Sequence, residues 1–502
     1  MTIPPTTLDP AKVQDVETPV VLSHVFETLV QYDENSKIAP GLAESWTVSP
    51  DGKTYTFKLR EAKFSDGKAF TSEDVADSWK RALDKGLGSP VAATYLGDIV
   101  DAKTLASGEW DKPPRLGVAT PDPRTVVVTL AKPVGAFLGK LTYPAAAIIE
   151  RKATYAASRT SDMTIAVEIT RPLQAIGTGP FRMADYDPDR KVTLEANPNY
   201  WGPAPKLKGI EFSVVRDGAT RLNLYRQGNL DLLTLDRADI KGVSADGTLG
   251  KQVRYVERPS VYYLLLNPKQ YRPFARPEVR RAFTMALNRT RLAREVLGSL
   301  EPADRWVPPS ILPRANGAPT VPAFDPQAAR AELTKAGLKG ESLPPLTLCY
   351  RADNADARAV AETVTSDLKT ALGVTVEPRA MDWGGLLKAR NKAELPCAYL
   401  NWTADYVDPE NFLSTLLRSD AGVNFDRWSD AEFDRLTTEA DASADPAKRQ
   451  DLYRRAEDVV VRELPRMPLY FGRDAVLVSP RVKGLRTNAL GTMTHLTTSV
   501  EG

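Results

Sequence analysis

The sequence predicts an α/β protein built from two lobes, and two observations carry this prediction. The chain has 502 residues, which is too many for one hydrophobic core, because cores stop growing near roughly 250–300 residues. Two separate stretches, near residues 177–260 and 346–402, alternate strand patterns with helical patterns. Such a β-α-β rhythm is typical of parallel sheets, whose ligands bind at the carboxyl ends of the strands. We therefore expect two α/β lobes with a cleft between them.

The first third of the chain is predicted to be rich in β-structure. A turn sequence at residues 49–53 precedes residues 54–60, in which every second residue is apolar, as in a strand with one buried face. Thr71 lies three residues before Asp74, a spacing that predicts a capping box at the start of a helix. A second strand is predicted at residues 125–130.

The two β-α-β series supply the remaining elements. The strongest helix prediction covers residues 276–297, with Pro277 in its first turn. In the first series we predict strands at residues 192–196, 210–214 and 230–235 and a helix near 218–227. In the second we predict strands at residues 346–350, 374–378 and 398–402, with helices at 355–372 and 383–390, and a last helix at 445–463.

Composition excludes several classes of function. The 66 Lys and Arg residues nearly balance the 64 Asp and Glu residues, so no basic surface for nucleic acid is predicted. The two histidines, His24 and His495, fall at opposite ends of the chain. No imidazole pair is therefore available locally in the sequence, and we expect no metal site and no need for metal. Cys349 would lie within its strand and Cys397 before its strand, roughly 10 Å apart and beyond bridging reach, so both are predicted to be free thiols.

Seven short segments occur in the order found in one known family. Over nearly its whole length the chain resembles the peptide/nickel class (family 5) of extracellular solute-binding proteins of ABC importers, above all those that bind dipeptides and oligopeptides. The segments are GLAESW at residues 41–46, SPDGKTYTFKLR at 49–60, FSDGKAFTSEDV at 64–75, GTGPF at 177–181, NPNYW at 197–201, WTADYVDPENFL at 402–413 and LPRMPLY at 464–470.

The resemblance implies a periplasmic-binding-protein clamshell of type II with an extra β-rich subdomain inserted in lobe I. It also implies a monomer exported to the periplasm or cell surface, whose leader has been removed, with an ABC permease as partner and no cofactor. A lipid anchor would be its sole link to the membrane. The predicted parts are residues 1–34, 172–265 and 471–502 for lobe I, 35–171 for the inserted subdomain and 266–470 for lobe II.

Asp405 is the foremost candidate for ligand binding. It follows the predicted strand at residues 398–402, and therefore faces the expected cleft. In peptide-binding relatives the matching Asp pairs with the α-ammonium of the ligand, and a buried ammonium needs such a partner. The alternative is that Asp405 caps the following turn, as Asp often does. Asp408, before Pro409, is interpreted as a turn residue.

The other candidates would complete a peptide site. Asn401 and Thr403 could offer backbone groups to an extended peptide, and Trp402 either lines a side-chain pocket or belongs to the core. The resemblance places the opposite edge at Glu27 and Thr28. Tyr95 is a candidate lid over the ligand.

Other functions remain open at this stage. The same fold binds oligosaccharides, opines or other amines in relatives. A receptor that presents ligand to a sensor, or that chaperones unfolded chains, is a rival from a different class. The sequence contains no Gly-x-Ser-x-Gly or His-Glu-x-x-His motif, so no enzyme is predicted. The motifs at residues 41–46 and 197–201 are interpreted as structural, and residues 177–180 are not a phosphate-binding loop.

Overall fold

The computed structural model describes residues 1–33, 35–109, 114–151, 155–157, 164–443, 445–488 and 490–501. The chain divides into two compact units. The first comprises Met1–Asp236, Gly247–Arg254 and Ala475–Gly502, and the second comprises Arg237–Asp246 and Tyr255–Asp474. Whether residues 35–171 form a subdomain of their own stays a prediction.

The first half of unit 1 contains an antiparallel sheet in the order β3-β4-β6-β5, packed against helix α2. The predicted strand at residues 54–60 and the predicted capping box are both confirmed. Alternate side chains of the strand are buried, and Asp74 Oδ2 accepts hydrogen bonds from Thr71 N at 2.8 Å and from Thr71 Oγ1 at 2.9 Å. The elements are α1 Thr18–Leu22, β1 Val30–Tyr32, β2 Ile38–Pro40, β3 Ala43–Val48, β4 Thr54–Leu59, α2 Ser72–Ala82, α3 Ala92–Tyr95, α4 Ala102–Ser107, β5 Val118–Asp122, β6 Thr125–Thr129, α5 Phe137–Lys140, β7 Tyr155–Ala157 and β8 Thr164–Ala166.

The second half of unit 1 corrects one prediction. The three strands predicted in the first β-α-β series exist, but none of them pairs in parallel: β10 and β11 belong to an antiparallel sheet in the order β11-β10-β9, and β12 pairs antiparallel with residues 476–478. A short turn joins β9 to β10, and residues 197–208, which contain no helix, join β10 to β11, so no crossover helix separates these strands and antiparallel pairing follows. The elements are β9 Phe181–Asp187, β10 Lys191–Ala196, β11 Gly209–Ser213, α6 Gly218–Arg226 and β12 Leu232–Thr234.

Unit 2 contains the parallel sheet that the sequence predicts. β15 pairs in parallel with both β16 and β17, and helices α11 and α12 connect them, so the second β-α-β series is confirmed. The elements are α7 Arg237–Ala245, β13 Val253–Leu266, α8 Pro277–Ala286, α9 Arg289–Arg291, β14 Glu301–Pro302, α10 Pro326–Lys335, β15 Leu346–Arg351, α11 Ala355–Leu372, β16 Val376–Met381, α12 Trp383–Asn391, β17 Cys397–Thr403, α13 Ser414–Leu417, α14 Ala431–Ala442, α15 Pro446–Glu463 and β18 Arg466–Val478; the tail of the chain adds β19 Val482–Lys483, β20 Arg486–Thr487, β21 Met493–Thr494 and β22 Ser499–Val500.

The predicted single helix at residues 276–297 is broken. Helix α8 ends at Ala286, Leu287 is extended, and Asn288 begins a new turn by accepting a hydrogen bond from Arg291 N at 2.9 Å. Asn favours helix caps over helix interiors because its short side chain bonds nearby backbone groups. Polar residues 288–291 interrupt the apolar stripe at the break, and apolar residues resume at Leu292.

Both cysteines are free and buried, as predicted, but the reasoning about their offset is wrong. Strand β17 begins at Cys397 itself, one residue earlier than predicted. Leu348 is the parallel partner of Cys397, and Cys349 is the partner of Ala398. The two thiols therefore lie one step apart on neighbouring strands of the sheet. Within the described residues, no helix is long and apolar enough to cross a membrane.

Candidate ligand-binding site

The carboxyl ends of three parallel strands meet at one edge of the unit 2 sheet. β15 ends at Arg351, β16 at Met381 and β17 at Thr403. Because the strands are parallel, the segments that follow them lie along the same edge, which is where α/β sheets bind ligands. Asp405 belongs to one of these segments. The predicted position of Asp405 in the fold is therefore the observed one.

Strand β17 has an incompletely paired edge at this position. On one side it pairs with β13 along its whole length, from Cys397 to Thr403. On the other side the register with β15 covers only Cys397 and Ala398. No strand in the described part of the chain continues that side along Asn401, Trp402 and Thr403. Backbone N–H and C=O groups there are positioned to receive an added strand.

The loop after β17 turns sharply and is held by Asp408. Asp408 accepts a hydrogen bond from Glu410 N at 2.8 Å and thereby caps the short 3₁₀ helix Pro409–Asn411, so its interpretation as a turn residue is confirmed. It also forms a fork with Arg449, whose Nη2 lies 2.8 Å from Oδ1. The cap of this turn, which was the alternative role considered for Asp405, is therefore supplied by Asp408. Asp405 itself is half-buried.

Trp402 and Asp405 share one partner. Trp402 Nε1 donates to Asn411 Oδ1 at 3.0 Å, and Asp405 N donates to the same oxygen at 3.1 Å. The side chain of Trp402 is half-buried, intermediate between the pocket and core alternatives. Sequence reasoning missed Asn411, although it lies within the segment that carries the resemblance.

Arg351 was also missed, because the predicted strand stopped one residue short of it. Its Nε and Nη2 lie 2.5 Å and 2.8 Å from the carboxylate oxygens of Asp353. Its Cζ lies 5.2 Å from the ring centroid of Trp383, a tryptophan that is 42% exposed. A guanidinium and an exposed aromatic ring therefore stand at the same sheet edge as Asp405.

Glu27, in unit 1, lies in an aromatic cluster. Trp201 Nε1 donates to Glu27 Oε2 at 2.9 Å, and the guanidinium of Arg60 lies 3.6 Å above the Trp201 ring. Burial raises the pKa of Glu27 to about 7, against the opposing effect of the hydrogen bond from Trp201. Trp201 belongs to the motif interpreted as structural, and it performs a packing and anchoring role.

The backbone around Thr28 is already engaged within the chain. The carbonyl oxygen of Glu27 accepts from Ile148 N at 2.9 Å, and that of Thr28 accepts from Leu42 N at 3.0 Å. The Thr28 hydroxyl donates to Val30 O at 2.6 Å. Each of these carbonyl oxygens already accepts a backbone hydrogen bond, unlike the unpaired side of β17. The role of Glu27 and Thr28 in ligand binding stays a prediction.

Comparison with known proteins identifies the family. Residues 37–424 match the bacterial extracellular solute-binding proteins, family 5. The chain belongs to this family. It is 30% identical over 491 residues to the probable deoxycholate-binding periplasmic protein YgiS of Escherichia coli, covering 96% of this chain and 88% of that protein. It is 30% identical over 495 residues to the periplasmic oligopeptide-binding protein OppA of Salmonella typhimurium, covering 95% and 87%.

Solved structures confirm the predicted fold class of this solute-binding protein. The murein tripeptide binding protein MppA of Escherichia coli superimposes with a TM-score of 0.80 at 26% identity, covering all of this chain and 97% of that one. The two-lobed α/β periplasmic-binding-protein fold is thus shown. The family is extracellular, so the predicted location outside the cytoplasm is confirmed as well.

Tyr95 of the solute-binding protein is 4% exposed. Its ring stacks on Tyr143 with centroids 3.6 Å apart and planes inclined by 10°. Tyr143 in turn donates its hydroxyl to Val13 O at 2.9 Å. The structure therefore gives Tyr95 a packing partner in unit 1, and its role as a lid stays a prediction.

The two histidines, which lie at opposite ends of the sequence, are in contact in the folded chain. The rings of His24 and His495 stack with centroids 5.1 Å apart and planes inclined by 24°. Both side chains are buried. Burial lowers the pKa of His24 to about 3, assisted by His495, and lowers that of His495 to about 4. Both rings are therefore neutral at physiological pH, and distance along the sequence did not reveal their contact. That function needs no metal stays a prediction.

Proposed function

We propose that this protein captures short peptides with a free amino terminus outside the cytoplasm and delivers them to an ABC permease, without catalysing a reaction. The observation that carries the proposal is the incompletely paired edge of β17 at Asn401–Thr403, followed at once by the carboxylate of Asp405. An edge strand binds any extended backbone, whatever its side chains, and a carboxylate beyond its end suits an ammonium group. OppA and MppA are named for peptides, which supports this ligand class.

We assign the carboxylate end of the ligand to Arg351. This residue ends β15, the neighbour of β17 in the sheet, and parallel strands lie about 4.8 Å apart. Its fork with Asp353 is solvent-exposed, at 40% and 61% of the two side chains. Exposed ion pairs contribute little net energy, so exchanging Asp353 for a ligand carboxylate costs little. Trp383 would pack against the adjacent part of the ligand.

Capture would proceed by closure of the two lobes on the ligand. A ligand shifts such an equilibrium only by its differential affinity for the closed state. Contacts that exist in both states, such as Asp408 with Arg449, therefore contribute nothing to closure. Contacts that the ligand completes, at Asp405 and along β17, are the ones that drive it. We expect the protein to act as a monomer.

A second ligand class deserves a direct test because YgiS, equally similar, is named for deoxycholate. Deoxycholate has a carboxylate and no ammonium, so it would need Arg351 but not Asp405. The two residues thus discriminate between the ligand classes. A sensor or chaperone receptor would bind the same peptides without supporting transport.

The test begins with mass spectrometry of ligand released from purified, denatured protein, in which short peptides are expected. Calorimetric titration then compares a free peptide with its N-acetylated and C-amidated forms. We expect the free peptide to bind best and both blocked forms to bind at least tenfold more weakly, since each loses a charge-assisted hydrogen bond. Equal affinities for all three, or a released steroid, would overturn the peptide assignment. Intact peptide after incubation would support the absence of catalysis.

A further inference from the structure

Asn411 occupies an unusual position in the loop after β17. Its side chain is 2% exposed, yet it reaches both of the groups proposed to meet the ligand. Oδ1 accepts from Trp402 Nε1 at 3.0 Å and from Asp405 N at 3.1 Å, while Nδ2 lies 3.4 Å from Asp405 Oδ2. One buried amide thus joins an indole, a backbone group and a carboxylate.

The other charged groups of the loop are engaged elsewhere. Asp408 forks with Arg449, and Glu410 accepts the hydroxyl of Tyr406. These contacts fix the far side of the loop, from Tyr406 to Glu410. Asn411 ties this frame to Asp405 and to Trp402 near the end of β17.

A buried amide is costly to leave unbonded, so its partners are held in one arrangement. If Asn411 is fixed by the loop, the Asp405 carboxylate and the Trp402 ring are fixed relative to each other. Preorganisation of this kind reduces the ordering cost of binding. The 3.4 Å contact from Asn411 Nδ2 to Oδ2 orients the carboxylate relative to the loop.

We infer that Asn411 is a positioning residue of the ligand site, which sets the Asp405 carboxylate and the Trp402 indole in register for the ligand's ammonium. This inference rests on the proposed function and deepens it. Asn411 does not touch the ligand. It acts through Asp405, and its replacement should change the electrostatics of ammonium binding as well as its strength.

The decisive variant is Asn411→Asp, probed with trialanine. Aspartate keeps an oxygen for Trp402 and Asp405 N but replaces Nδ2 by a second carboxylate oxygen facing Asp405. Two carboxylates so close share a proton near neutral pH. An arriving ammonium favours loss of that proton, so binding should release protons and be about tenfold weaker. Calorimetry in two buffers of different ionisation enthalpy measures the release.

The matched control is Asn391→Asp at the end of α12. Asn391 is exposed and accepts hydrogen bonds from Arg390. It is the last residue of α12, at the opposite end of that helix from the sheet edge that carries the site. The substitution therefore adds the same charge away from the site. It should bind trialanine like the native protein, with no change in proton exchange. If Asn411→Asp also matches the native protein in affinity and proton exchange, the inference is overturned. If the native protein does not bind trialanine, the proposed function itself fails, and the inference fails with it.

A double-mutant cycle covers the case in which Asn411→Asp does not fold. Asn411→Ser should weaken trialanine binding about fivefold in the native background, in line with a lost hydrogen bond. In the Asp405→Asn background the same change should cost less than half as much, because Asn411 acts through the missing charge. Equal losses in the two backgrounds would make Asn411 a purely structural residue and overturn the inference.

Discussion

Asp405 and Glu27 are both half-buried carboxylates in segments predicted to contact the ligand, but the structure holds them in opposite ways. Asp405 shares contacts with Asn411, six residues further along the chain, at the end of a strand whose edge is partly unpaired. Glu27 is bonded by Trp201, 174 residues away, inside an aromatic cluster. Burial raises the pKa of Glu27 to about 7, so it carries a full charge only above neutral pH.

A carboxylate that binds a ligand and a carboxylate that stabilises the fold differ in which residues hold them. A group meant to meet an ammonium should be held by its own loop and directed to an edge where the ligand can replace water. A group held by distant aromatic residues, with its charged form disfavoured by burial, contributes to the fold.

Asp405→Asn should reduce the affinity for free peptides roughly ten- to over a hundredfold. The change keeps the shape and one acceptor oxygen but removes the charge, and a charge-assisted hydrogen bond contributes roughly 1.5–3 kcal/mol. Calorimetric titration measures the loss, and N-acetylated peptides should bind the two proteins alike. The control Asp325→Asn, at an exposed helix cap that Asn fills equally well, should bind normally. Unchanged affinity for free peptides in Asp405→Asn would show that Asp405, like Glu27, is a structural carboxylate and does not bind the ligand.

His24→Phe should make the free energy of unfolding depend less on pH between pH 8 and pH 5. The folded pKa of His24, about 3, lies below the usual value of 6.5, so its contribution to stability is complete above pH 6.5 and is lost as pH falls toward 3. Between pH 8 and pH 5 the free energy of unfolding of the native protein should fall by about 2 kcal/mol for each buried histidine. In His24→Phe it should therefore fall by about 2 kcal/mol less than in the native protein. Urea unfolding at both pH values gives the difference. The chain has two histidines, so replacing His495 as well should remove histidine titration, and an unaltered profile would contradict the buried stack.

Glu27→Gln should have the opposite pH signature. The folded pKa of Glu27, about 7, lies above its usual value of 4.5, so the native protein loses stability as pH rises through this window. The variant keeps the acceptor for Trp201 and should avoid roughly 1–2 kcal/mol of that loss between pH 5 and pH 8. The free energy of unfolding at the two pH values measures it. If Glu27→Gln instead loses much of its affinity for peptides, Glu27 is a ligand-binding carboxylate like Asp405.

The cysteines should produce the smallest effect. Cys349 and Cys397 are free and each is 1% exposed, so reduction should change neither the melting temperature nor peptide binding. Thiol titration should find no reactive group in the folded protein and both after unfolding. A melting temperature that falls on reduction would indicate a disulfide between these neighbouring strands.

Sequence reasoning located the Asp405 edge because its signals are local. Strand β17, the turn at Asp408 and Pro409, and the order of β15, α11, β16 and α12 all follow from patterns within a few residues of each other. Asn411 and Arg351 lay within or beside these segments and were overlooked, because side-chain direction is not visible in a sequence pattern. The same limit applies to Glu27, whose position was predicted from resemblance and whose partner was not.

The family could be read from the order of seven short segments. The parallel sheet of unit 2, the capping box at Thr71 and the position of Asp405 at the end of a strand follow from apolar periodicity, caps and turn residues, which act between residues close in the chain. The antiparallel pairing of β9, β10 and β11, the stacking of His24 on His495 and the hydrogen bond from Trp201 to Glu27 are visible in the folded chain alone. Strand direction and contacts across hundreds of residues depend on how the chain returns on itself, and burial then sets the pKa values of the groups it brings together.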